Sequence, residues 1–216
     1  MCGRYSNHVK SMLDWSALLG DWPEQVPESH NVAPGQLIAG FTHTGGLGLR
    51  WGLIPPWSEE ASSKYATFNA RLETVAQKPA FRHAWRQGNR CLIPALGYFE
   101  WKTDKSGKQP YFICRTDGQP LLFAGLYEPC RDAIPASCTL LTRPAREDLV
   151  VIHPRMPVTL SLEDGRDWLG MEVESGRSLL EKPVTLGIQS FPVSRRVNNA
   201  RNEGDDLVQA VELNGP

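Results

Sequence analysis

An amine and a thiol on one residue have a chemistry that neither has alone. The chain begins MCGRYS, so removal of Met1 would leave Cys2 with a free α-amine beside its thiol. Such a pair condenses with an aldehyde and closes a five-membered thiazolidine ring. An α-amine has a pKa of about 7.7–8.0, against about 10.4 for lysine, so on the order of a tenth of it is already neutral and nucleophilic at pH 7. The imine formed first hydrolyses readily. A thiol held on the same residue adds to it at a high effective concentration, about 10⁵ M or above in favourable cases. A cysteine standing second by chance is the competing reading, and the rest of the chain has to decide between them.

Other stretches carry groups that suit such a reaction. In GYFEWK (97–102), strand alternation puts Tyr98, Glu100 and Lys102 on one face and Phe99 and Trp101 on the other. Glu100 is then either a carboxylic acid with a raised pKa on a rigid, partly apolar strand, or an exposed glutamate paired with Lys102. FNARLET (68–74) places Asn69, Arg71 and Glu73 on one face if extended, as an ion-pair cluster or as a polar site with Arg71 on a phosphate. IHPRMPV (152–158) holds His153 near Arg155 in a loop stiffened by Pro154 and Pro157, where the histidine reads either as a fixed catalytic group or as an ordinary surface or core residue. RWGLIPPW (50–57) predicts one core indole, Trp51, and one exposed stacking surface, Trp57. NVAPGQ (31–36) is a loop with a Pro-Gly turn, and FPVSRRVNNARNEGDDL (191–207) is a polar segment with a core anchor at its start. Either segment reads equally well as a simple connection.

The elements that must position these groups are mostly strands. Apolar runs bounded by turn residues predict strands at 36–41, 47–53, 90–95, 97–102, 110–115, 121–127, 138–142 and 184–188, with a hairpin joining GYFEWK to PYFICR through TDKSGKQ. Helices are expected after Ser6 or Asn7, from Thr74 to Trp85, and from Ser161 to Leu169. Many strands, few helices and no βαβ alternation predict an α+β chain with a mostly antiparallel core, organised as one domain over residues 1–216.

Composition sets the outer bounds. The 216 residues are 41% hydrophobic and 22% charged, as expected of a soluble globular chain, and no run of about 18 apolar residues suggests a membrane span. No secretory signal is visible, and five scattered cysteines without a C-x-x-C pair argue against a disulfide framework or a zinc site. A reducing, cytoplasmic setting is expected. The formal net charge of −1 by itself argues against a nucleic-acid binder. Its distribution argues otherwise, because Lys64, Arg71, Lys78, Arg82, Arg86 and Arg90 face only Glu73 in that stretch.

Taken in order, MCGRY, NVAPG, RWGLIPPW, FNARLET, CLIPALGYFEW, QPYFI, IHPRMPV and PVSRRVNN resemble the SOS-response-associated peptidase (SRAP) family from Met1 to about Leu207. Members are known for a covalent crosslink to abasic sites in single-stranded DNA. The resemblance implies a β-barrel-like core with a few flanking helices, no cofactor, a monomer, and association with bacterial DNA. It implies that Cys2 crosslinks once Met1 has removed itself, that Asn69 orients the amine, that Glu100 transfers protons and that His153 contacts the opened sugar. It implies DNA contacts by Arg4, Arg71 and Arg155 on phosphates, by Trp57 near the lesion, and by Asn31, Pro34, Lys78 and Thr142. Ser58 departs from members that carry a second aromatic there, which weakens the expected stacking. Two other readings stay open: a cysteine hydrolase that uses the Cys2 amine as its base, and a non-catalytic single-strand binding module.

Overall fold

The computed structural model describes residues 2–61, 65–104, 107–170, 173–183 and 185–213. Lys64, Val184 and the hairpin tip at 105–106 therefore lie outside the described residues. The elements run β1 (Tyr5–Ser6), α1 (Trp15–Leu18), β2 (Leu37–Thr42), β3 (Gly45–Trp51), β4 (Asn69–Arg71), α2 (Pro79–Arg86), β5 (Arg90–Ala95), β6 (Gly97–Asp104) and β7 (Gly107–Arg115). There follow β8 (Leu121–Glu128), β9 (Ser137–Pro144), α3 (Glu147–Val150), β10 (Arg155–Pro157), β11 (Thr159–Leu160), α4 (Leu162–Gly170), α5 (Val173–Glu181) and β12 (Ile188–Pro192). Short 3₁₀ turns lie at Arg195–Asn198 and Asp205–Val208.

Two sheets form. One has the order β1-β6-β7-β12. In the other, β9, β3, β2, β5 and β8 pair in turn, and β8 pairs back to β9, so the strands close a ring. The ring is barrel-like without being a regular barrel. Its β2–β5 seam is the single pair Phe41↔Leu92, and β3 and β4 both run parallel to β9. Fully buried aromatics pack beneath the N-terminal strand: Tyr5 meets Trp51 edge-on at 5.3 Å between ring centroids and Phe123 at 6.1 Å. On the other face of β6, Phe99 and Phe112 pack 4.9 Å apart against Val193, Val197 and Leu207.

The hairpin of β6 and β7 is the pairing read from the sequence, with Glu100 opposite Tyr111. β5 matches the expected bounds at both ends. Gly97 explains the abrupt passage from β5 to β6, since a Cβ there would lie 2.4 Å from Phe112 Cζ and 2.6 Å from the Ile113 carbonyl oxygen. Three expectations need correction. The helix after Ser6 shrinks to Trp15–Leu18. Val9, Met12 and Leu13 lie in turns, held by tertiary contacts such as the Trp15 indole N–H donating to the Val9 carbonyl at 3.0 Å. The helix begun at Thr74 starts at Pro79, whose ring suits the first helical position. The last strand lies at Ile188–Pro192 rather than 184–188, paired with β7 from Ile188↔Arg115 to Pro192↔Tyr111.

Candidate active site

The backbone of Cys2 is placed by its neighbours on three sides. β1 pairs with β6 in the register Tyr5↔Tyr98, and the Phe99 N–H donates to the Arg4 carbonyl at 2.9 Å. Carried upstream, that register sets Gly3 opposite Glu100. On its other side, Tyr5 exchanges two backbone hydrogen bonds with Val32, at 3.2 and 2.8 Å. From β4, the Asn69 side-chain amide donates to the Cys2 carbonyl at 2.6 Å, while the amide oxygen is buried and accepts no hydrogen bond among the described residues. The Cys2 side chain is fully buried. Burial, and secondly the Glu100 charge, pushes its thiol well above the usual thiol range.

Glu100 is 3% exposed, so the reading that pairs it with Lys102 on an open strand is overturned. Burial raises its carboxyl to about 7. His153 Nδ1 lies 3.7 Å from Glu100 Oε1. The same nitrogen is 3.1 Å from both the N–H and the carbonyl oxygen of Arg155. The N–H donates to a neutral ring and the carbonyl accepts from a protonated one, so this seat serves both states. Burial is the main cause that lowers the His153 pKa. Glu100 therefore carries a proton that exchanges close to neutrality, with the His153 ring alongside.

Arginines flank this centre, in unlike states. Arg4 Nη1 donates to Asn31 Oδ1 at 2.7 Å and to the Val197 carbonyl at 2.6 Å, leaving the half-buried guanidinium oriented. Arg71 stands exposed at the end of β4. Arg155 grips both oxygens of Glu73, with Nη2 to Oε2 at 2.9 Å, and also donates to the Thr142 carbonyl at 2.7 Å. That contact lowers the Glu73 pKa. Glu73 lies in a turn beyond β4, so Asn69, Arg71 and Glu73 do not share one extended face.

The remaining candidates divide by exposure. Trp57 is 57% exposed and Trp51 is fully buried, as the sequence predicts for the two indoles. Pro34 and Lys78 are exposed. Asn31 and Thr142, expected as DNA contacts, lie inward of the arginines they hold. Both are fully buried, and each holds an arginine: Asn31 orients Arg4, and Thr142 Oγ1 lies 3.2 Å from Arg155 Nη2. Among the described residues, no group of three or more His, Cys, Asp or Glu side chains is placed to hold a metal ion.

Two contributions escaped the sequence reading. The polar segment after β12 is a strap: the Asn31 amide donates to the carbonyls of Asn199 and Asn202 at 2.9 and 2.8 Å, and Glu203 Oε2 accepts the His30 N–H at 3.1 Å. Its density of Asn and Arg was the available signal. Arg131 pins the Trp57 loop by donating to the carbonyls of Pro55 and Ser58 at 2.7 and 3.0 Å, and nothing in the local sequence marks it.

A closed mixed sheet that seats a cysteine at the second position near a carboxyl and an imidazole defines the fold and the candidate site. The SOS response associated peptidase (SRAP) family model matches residues 1–200, and the chain belongs to that family. It is 35% identical to abasic site processing protein YoaM of Bacillus subtilis over 97% of this chain and 98% of that protein. It is 34% identical to abasic site processing protein YedK of Escherichia coli over 98% of this chain and all of the other. A crystal structure of a protein from Bordetella bronchiseptica superposes with a TM-score of 0.79 at 28% identity, over 89% of this chain and all of that one. No described helix is long and apolar enough to cross a membrane.

Proposed function

We propose that this chain processes abasic sites in single-stranded DNA by forming a reversible thiazolidine with the opened deoxyribose, in the cytoplasm and as a monomer. The observation that carries the reading is the Cys2 backbone held by Asn69 beside a carboxyl whose pKa is about 7. The names of YoaM and YedK support the substrate class.

After hydrolysis of the Met1–Cys2 amide, the neutral Cys2 amine adds to the sugar aldehyde. Glu100 delivers the proton that opens the ring, and a proton again as the carbinolamine loses water. The thiol then adds to the imine carbon: the S–C bond forms, the C=N π bond breaks toward nitrogen, and the nitrogen takes up a proton as the thiol gives one up, which leaves a C–N single bond in the closed ring. The buried Asn69 amide oxygen suits the amine as an acceptor without adding charge. His153 exchanges its proton with Glu100, and the same pair returns protons when the ring reopens. Arg4 and Arg71 hold phosphates irrespective of sequence.

Burial pushes the Cys2 thiol up and so disfavours the thiolate that either the crosslinking or the hydrolase reading would use. A plain binding module leaves the Glu100–His153 pair without a task. A denaturing gel with abasic single-stranded DNA separates the three. A shifted band that survives boiling in detergent is expected, and its absence with the Met1-free protein overturns the proposal.

A further inference from the structure

A cluster of titratable side chains gathers on buried His30, apart from the groups the chemistry above uses. His30 Nε2 lies 3.1 Å from Asp205 Oδ1, Nδ1 lies 3.0 Å from Ser6 Oγ, and the ring stacks on His8 with centroids 4.4 Å apart. The His30 N–H donates to Glu203 Oε2 at 3.1 Å. Ser6–His30–Asp205 has the connectivity of a hydrolase triad, but its burial is reversed: Ser6 is fully buried and the Asp205 side chain is 86% exposed. A serine so enclosed meets no substrate. What the cluster joins is the strap to β1 and to the loop before β2. Glu203 Oε1 accepts from the Ser29 hydroxyl, Ser29 Oγ accepts the Asn31 N–H at 2.9 Å, and Asn31 Oδ1 orients Arg4. Between the two carboxylates, Gly204 has a φ of 126°, which turns both of them back onto one loop and which other residues rarely adopt.

Resting on the reading that Arg4 holds a strand phosphate, we propose that Glu203 and Asp205 are positioning residues for Arg4, and that uptake of a proton by His30 releases the strap they latch. A carboxylate only accepts, so Nε2 carries the hydrogen, and in the neutral ring Nδ1 accepts from the Ser6 hydroxyl. A second proton, on Nδ1, removes that acceptor. Buried Ser6 Oγ has no other hydrogen-bond partner among the described residues, so its own proton is left without a seat. The titratable groups facing His30 are His8, Asp205 and Glu203. Burial first, and then His8, lower its pKa against the pull of the two carboxylates. The latch is therefore strongest above the ordinary imidazole value of about 6.5 and weakens as pH falls below it. Its opening withdraws the carbonyls of Asn199, Asn202 and Val197, which hold Asn31 and Arg4.

Hydrogen–deuterium exchange of the full chain reads the latch without DNA. After correction for the intrinsic pH dependence of exchange, segments 194–208 and 3–8 should lose protection together as pH falls from about 7 to about 5, by up to about tenfold per pH unit, the limit for one coupled proton, while β8 stays protected. His30→Gln, which takes up no proton, should flatten this dependence. Asp205→Ala, a change at an exposed side chain, should loosen both segments even at about pH 8, above the imidazole range. Binding of a single strand with one tetrahydrofuran, an abasic mimic that forms no aldehyde, reads the effect on Arg4. Glu203→Ala should lower the salt slope of that binding by up to about 0.7, the value of one phosphate, and should add nothing to Arg4→Ala. Flat exchange in the wild type, a pH dependence kept in His30→Gln, unchanged exchange in Asp205→Ala, or additive effects of Glu203→Ala and Arg4→Ala would each overturn the proposal. The two readings fail separately. If Arg4→Ala binds like wild type, the phosphate reading falls, and the loosening of segment 3–8 still decides the latch. On a denaturing gel with a natural abasic oligonucleotide, a missing band sinks only the covalent chemistry.

Discussion

Two protonation states meet at Cys2 and Glu100, and they pull in opposite directions. The amine must be neutral, which favours pH above about 7.7–8.0, while the acid must be protonated, which favours pH below about 7. The rate of crosslinking should therefore pass through a maximum between about pH 7 and 8 and fall on both sides. In Glu100→Gln the alkaline limb should vanish, and formation and reversal should both slow by up to about 10²-fold or more. Exchange between two labelled abasic oligonucleotides at the wild-type rate would remove Glu100 from reversal. Burial of this carboxyl also acts on the fold. Its folded pKa lies above its usual value, so its contribution is fully present below about pH 4.5 and is lost as pH rises through about 7. Glu100→Gln should accordingly melt higher than wild type above pH 7, and an unchanged or lower Tm there would contradict that account. At Cys2, replacement by Ser keeps the amine and should leave an imine that borohydride traps, with little stable product otherwise. A Met1-retaining form should give neither product, and a crosslink from it would show that the amine is not the nucleophile.

At the scale of elements, the turn after β4 decides which arginines are available. Glu73 occupies Arg155 from that turn, while Arg71 is open. Arg71→Ala should lower the salt slope of single-strand binding by roughly 0.7, the value of one phosphate. Glu73→Gln should do the reverse, freeing Arg155 and steepening the slope by a similar amount. Filter-binding titrations over a range of salt concentrations measure both, and an unchanged slope in Glu73→Gln would show that Arg155 stays turned inward. The elements were unequally legible. β5 and the β6–β7 hairpin were plain because polar turns bound apolar runs. Glu100 could be placed on its face by alternation, but its burial depends on β1 lying alongside, which spacing within β6 does not reveal. The segment from Val9 to Leu13 imitates a helical period because Val9 and Leu13 reach the Trp15–Phe41 cluster from non-helical backbone, while Met12 is exposed. Asn31 and Thr142 came only from the family resemblance, and their bonds to Arg4 and Arg155 are long-range facts that no local spacing reveals.

For the molecule as a whole, the five cysteines sort by depth. Cys2, Cys91 and Cys138 are buried, Cys114 is half-buried and Cys130 is exposed. A thiol reagent on the native protein should label Cys130 fast and Cys114 slowly, and leave crosslinking to abasic DNA intact, whereas urea should expose all five. Loss of crosslinking on labelling Cys130 alone would place that surface in the reaction. The strap has a wider consequence. Arg4 donates its hydrogen bond to the Val197 carbonyl, 193 residues away along the chain, and Glu203 closes over Ser29 and His30. A ribosome that has delivered β1 through β7 has made the cysteine, its carboxyl and its first strand, but not the segment that fixes the arginine and seals the edge. Contacts of such separation form late in folding. On the reading proposed above, the first strand beside the aldehyde trap is thereby steadied only by a segment translated 193 residues later.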